Sequence, residues 1–195
     1  MIGVFPTTNM KHNFELIYEI DCTVGEAVAA YLDAEHYDFL HKSYAKNYKV
    51  ISQEDNEIII EHSWHFAGLR MGQISSTKYL PPATFLNYNI KPFPWWLPSI
   101  HHLIKTTTEL KYYPTAEGER CVSHLKVELT YPFFVWPFRN FLEKKLCDLK
   151  IAKDLEDVEM ISRQQKIFGK GNLNHFKSKH VFLLHKELFV KHFLS

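Results

Sequence analysis

The sequence predicts an α+β domain in which a curved antiparallel sheet wraps around a long C-terminal helix. Three observations carry that expectation. Between Tyr44 and Tyr131, segment after segment is rich in β-branched and aromatic residues, with turn residues between them. From Phe138 to Phe168 there is neither Pro nor Gly, so one helix can run unbroken. Ahead of both, His12–Asp21 alternates apolar and polar residues, placing Phe14, Leu16, Tyr18 and Ile20 on one strand face. A sheet with one apolar face must cover it, and a helix laid across it does so.

In chain order, Asp21 or Thr23 caps a helix through GEAVAAYLDAEHYDFLH. Six strands follow: Tyr48–Ser52, Glu57–Phe66, Arg70–Leu80, Thr84–Lys91, Lys105–Tyr113 and Cys121–Tyr131. Glu54-Asp55-Asn56, Ala67-Gly68, Pro81-Pro82 and Thr115–Glu119 supply turns. Trp136-Pro137 opens the long helix, and Gly169 and Gly171 close it. On that helix Leu142, Leu146 and Leu149 form a stripe that continues through Lys153, Asp157 and Met160, while Ile151, Leu155 and Val158 lie opposite. The chain is read as a single domain, 1–195, whose tail from about residue 172 docks as a strand or helix.

Composition narrows the function classes. The chain has 195 residues, 46% hydrophobic and 23% charged, which is globular and argues against disorder. With 23 Lys plus Arg against 22 Asp plus Glu, no global charge draws it to nucleic acid or an anionic membrane. No apolar run approaches the roughly 20 residues of a membrane span, and the start does not read as a signal peptide. Cys22, Cys121 and Cys147 are too few and too far apart for a disulfide framework or a CxxC site. A reducing, cytoplasmic setting is expected, with the cysteines as small core residues. His62 and His65 fall on opposite faces of a strand. The PFPWWLPSI loop, with Trp95 and Trp96, either caps the core or forms a lid or contact surface.

One constellation carries chemistry. Leu32–Tyr44 reads LDAEHYDFLHKSY, a D-x2-H-x4-H pattern formed by Asp33, His36 and His41. Composition alone gives about 0.7 H-x4-H pairs, and roughly 0.03 with Asp three residues ahead, so the spacing with Asp is the informative part. Two imidazoles and a carboxylate on one face of an ion suit non-heme Fe(II). Positions five apart lie about 140° from each other on a straight helix, so His36 and His41 meet one ion only if the helix bends, widens or ends between them. Asp33, three residues before His36, is placed to hydrogen-bond the ring nitrogen that a metal leaves free.

The element order resembles the helix-grip fold of START-like, Bet v 1-like (SRPBCC) domains, and such a grip encloses a cavity suited to a small apolar ligand. LDAEHYDFLHKSY further resembles the mononuclear-iron motif in the catalytic domain of Rieske-type aromatic-ring-hydroxylating oxygenases. That family takes its third ligand from an acidic segment near the last long helix followed by Gln-Gln, and here Leu155–Gln165 reads LEDVEMISRQQ. The resemblance implies His36, His41 and Asp157 as iron ligands, with Asp154 as the substitute acid and Asp33 as the family's bridging aspartate. It implies a hydrophobic, aromatic-type substrate, trimeric self-association and oxygen chemistry at Fe(II). The match is incomplete. The C-x-H…C-x2-H motifs of a Rieske [2Fe–2S] cluster are absent, so electrons would come from a separate Rieske protein or ferredoxin. Ala29 and Ala30 stand where the family has an asparagine.

Two further readings compete. One is a metal-free START-like protein that binds or cyclises a hydrophobic molecule, with His36, His41 and Asp33 as hydrogen-bonding or acid/base groups. The other is a non-catalytic subunit of a larger oxygenase. An inward-facing Asp157 would need a cation, either a metal or Lys153, to offset its burial.

Overall fold

The computed structural model describes residues 9–40, 46–66, 69–93 and 104–195. His41, Trp95 and Trp96 therefore lie outside the described residues. Seven strands form one antiparallel sheet in the order β1-β7-β6-β5-β4-β3-β2. They are β1 (Asn9–Ile20), β2 (Lys46–Glu54), β3 (Glu57–Phe66), β4 (Leu69–Leu80), β5 (Thr84–Phe93), β6 (Lys105–Pro114) and β7 (Cys121–Pro132). Consecutive strands β2 to β7 meander, and β1 closes the far edge by pairing along its whole length with β7, Asn9 opposite Pro132 and Ile20 opposite Cys121.

β1 shows the expected alternation. Phe14 and Ile20 are buried, Leu16 and Tyr18 half-buried, and the intervening glutamates exposed. The inward faces of β3 to β7 add Ile58, Tyr79, Phe85, Leu110 and Leu129 to one continuous core, with Val28 and Leu32 of the first helix packed against them. Stacked rings fill much of it: Tyr31 lies 3.9 Å from Phe85 and Tyr79 lies 5.1 Å from the same ring.

The expected single helix after β1 is two helices, α1 (Val24–Leu32) and α2 (Glu35–Leu40). Thr23, not Asp21, caps α1 through a reciprocal box with Glu26. Asp33 is extended and ends α1. Its Oδ1 then accepts from the backbone N–H groups of Glu35 and His36, at 3.1 and 3.4 Å, and so starts α2. A short polar side chain that satisfies the next turn's amides makes the break local and inexpensive.

After β7 a 3₁₀ turn, Phe133–Phe138, leads into α3 (Arg139–Phe168), which lies across the sheet. Gly169 (φ 90°) ends α3 as its spacing predicted, donating to the Gln165 carbonyl at 2.8 Å. The tail resolves as a helix: α4 (Lys186–Phe193) docks Phe189 into the core, and the Leu184 amide donates to the Leu32 carbonyl at 2.9 Å. No helix among the described residues is long and apolar enough to cross a membrane.

Candidate functional site

The inner face of α3 sets charged residues among apolar ones: Leu142, Leu146, Val158 and Ile161 pack on the core, and Asp154 is buried beside them. Asp154 is 4% exposed and Ile161 2%. Lys150, Lys153 and Asp157 share this side, while Leu149, Ile151 and Leu155 face outward, Leu155 at 65% exposure. The leucine stripe thus indicated the inward position of Asp157 but not the outward turn of Leu149.

The buried charges are paired locally. Lys150 Nζ donates to both carboxylate oxygens of Asp154 at 2.5 Å, and the Tyr18 hydroxyl of β1 donates to the same carboxylate. Burial pushes the Lys150 ammonium below its ordinary value, and the attraction of Asp154 works against that shift. Asp154 is therefore a buried anion with its own cation. Lys153 has a different partner from the one foreseen: it donates to the Tyr37 hydroxyl, with its ammonium 4.3 Å from the Tyr37 ring centre and 5.1 Å from that of Tyr31.

His36 and Asp157, distant in sequence, are brought together. His36 Nε2 lies 3.2 Å from Asp157 Oδ1, with side-chain exposures of 5% and 14%. On the other side of the ring, Asp33 Oδ2 stands 3.9 Å from His36 Nδ1, an ion-pair separation beyond hydrogen-bond reach. Tyr37 packs 4.4 Å from the His36 ring and stacks 4.3 Å from Tyr48 of β2. Burial, first among the causes, raises the hydroxyl pKa of Tyr31, Tyr37 and Tyr112, so each stays a proton donor at neutral pH. Among the described residues no group of three His, Cys, Asp or Glu is placed to hold a metal.

No family model and no curated protein matches the sequence. Solved structures match in three dimensions. The Zhui aromatase/cyclase from Streptomyces sp. R1128 superposes with TM-score 0.63 at 10% identity, over 80% of this chain and 96% of that one. A START superfamily protein from Mycobacterium smegmatis gives TM-score 0.60 at 13% identity, over 77% and 99%. Norcoclaurine synthase from Thalictrum flavum gives 0.61 at 11%, over 79% and 88%. The fold is the START/Bet v 1 helix grip. At these identities the likeness is one of fold. The START-like part of the expected resemblance is thereby shown, and the Rieske-oxygenase part rests on the two sequence motifs.

A small cavity lies between sheet and α3, lined by Cys22, Tyr112, Asp154, Asp157, Val158 and Ile161 among others. Cys22 and Cys121 sit in the core as foreseen, their sulfurs 3.8 Å apart.

Sequence reading missed the Lys150–Asp154–Tyr18 cluster and the Lys153–Tyr37 contact. The four-residue spacing of Lys150 and Asp154 was legible as a helix pair, but nothing local showed that it faces inward.

Proposed function

We propose that the chain is a START-like protein that binds a hydrophobic small molecule between sheet and α3 and carries acid/base groups of the cyclase type there. The observation that carries this reading is the buried His36–Asp157 pair at 3.2 Å, with Lys153 and Tyr37 beside it on the same inner surface. An imidazole held by a carboxylate can take up and return a proton, and a tyrosine hydroxyl held by an ammonium can donate to a developing oxyanion. The named neighbours, an aromatase/cyclase and norcoclaurine synthase, lend support through shared fold.

The test is fluorescence titration with a panel of polycyclic phenols, followed by competition. Expected is saturable binding that weakens about tenfold or more in His36→Ala and Lys153→Met. A folded protein that binds none of the panel would defeat the proposal.

A second reading is a mononuclear non-heme iron site at His36, His41 and Asp157, with electrons from a separate Rieske or ferredoxin partner. It is favoured by the same separation, which is about that of two adjacent ligands each roughly 2.1 Å from one ion. His36 and Asp157 fit that donor set. When bound, the ion would supply oxygen activation, while the chain would hold it by one imidazole and one carboxylate, with Asp33 beside the far ring nitrogen. Anaerobic reconstitution followed by metal analysis separates the two. About one iron per chain, lost in His36→Ala and Asp157→Ala, selects this reading, and iron-free protein that still binds ligand selects the first.

A further inference from the structure

The entrance to α3 exposes aromatic surface that the grip does not use. In the 3₁₀ turn only Val135 is buried, at 1% exposure. Its neighbours Phe133, Phe134, Trp136 and Phe138 are 44–60% exposed, and Phe141 one turn into α3 is 56% exposed. Five large rings in water within nine residues form a patch that on a soluble protein marks a contact surface. Cations are set among them. The Arg139 guanidinium lies 3.9 Å from the Trp136 ring centre, Lys145 Nζ lies 5.9 Å from that of Phe141, and Lys144 is exposed beside it. The one carboxylate in this stretch, Glu143, is turned aside to His12 at 2.7 Å.

We infer that this corner docks on an anionic lipid surface, with the rings entering the headgroup boundary and the three cations meeting lipid phosphates and carboxylates. Rings with a polar rim and flexible cationic stems suit that boundary. A second copy of the chain fits less well, because a two-fold contact would bring the same cations face to face. The near-neutral total charge does not oppose this, since attraction to a membrane acts locally and fades within a Debye length. Docking would place the N-terminal end of the α3 grip against a reservoir of apolar molecules.

The test is co-sedimentation of the full chain with phosphatidylcholine vesicles, with and without about 30% phosphatidylserine. Expected is binding to the anionic vesicles only, lost as salt rises. Binding should fall at least about tenfold in Lys144→Glu/Lys145→Glu and in Trp136→Ser/Phe138→Ser. All four side chains are exposed, and an unchanged circular dichroism spectrum confirms that each variant is folded. No binding to anionic vesicles, binding indifferent to either double variant, or a patch-dependent dimer in sedimentation velocity would each overturn the inference.

Discussion

At the scale of single residues, the α3 underside shows how a helix can bury charge. Lys150 and Asp154 are 12% and 6% exposed, and each satisfies the other while Tyr18 fills a remaining acceptor site. Removing one member leaves the other buried and unpaired, which typically costs 3–5 kcal/mol, whereas replacing a whole cluster by apolar groups is often neutral. Asp154→Asn should therefore destabilise the chain by roughly 3–5 kcal/mol in urea unfolding. The triple variant Tyr18→Phe/Lys150→Met/Asp154→Leu should recover most of that loss. Equal losses in the two would mean that the cluster contributes net stability beyond satisfying itself. Asp33 illustrates a residue whose sequence signal has two sources. Its spacing to His36 suggested chemistry, and its capping of α2 is a sufficient structural reason for an Asp at that position.

At the scale of elements, Glu26 couples two helices that sequence analysis treated separately. It completes the α1 capping box through the Thr23 amide at 2.8 Å, and it accepts from Gln165 Nε2 at 3.1 Å and the Gly171 amide at 2.9 Å. The N-terminus of α1 and the C-terminus of α3 are thus held by one buried carboxylate. Glu26→Ala loses the box and the tie together, and a drop of roughly 2–4 kcal/mol is expected, against about 1 kcal/mol for Thr23→Ala. Hydrogen exchange should locate the additional loss in the last turns of α3. Protection there that matches the parent chain would show that the tie carries no load. Strand spans were legible to within two or three residues because alternation and turn residues mark both ends. The α1–α2 break was not, because a capping Asp inside an otherwise continuous helical pattern looks like an ordinary surface residue.

At the scale of the whole molecule, the tail is pinned by groups that resist protonation. Burial lowers the pKa of His185 below its ordinary 6.5, and His175 is shifted the same way for the same leading reason. Among the described residues, Nε2 of each is buried without a hydrogen-bond partner. Above the ordinary value both folded and unfolded chains hold these rings neutral, so nothing is lost. As pH falls through about 6.5 the unfolded chain takes up protons first, and stability falls. Urea midpoints should decline between pH 7.5 and 5.5. They should decline less in His185→Asn, which tolerates the left-handed backbone at that position (φ 50°). A decline identical in both chains would assign the pH dependence elsewhere.

The sequence by itself determined the strand set, the long helix, its glycine stop and the helix-grip order, since each depends on periodicity and local hydrogen bonding. It also singled out His36 and Asp157, which the fold brings to 3.2 Å. Tertiary structure decided the final facing of α3, because the stripe begun by Leu142 and Leu146 gives way to charged residues after Leu149, which turns outward. It decided too that Lys153 meets Tyr37 rather than Asp157, and that Tyr18 of β1 meets Asp154. Those outcomes depend on side chains more than a hundred positions apart competing for one interior, a competition that no local pattern records.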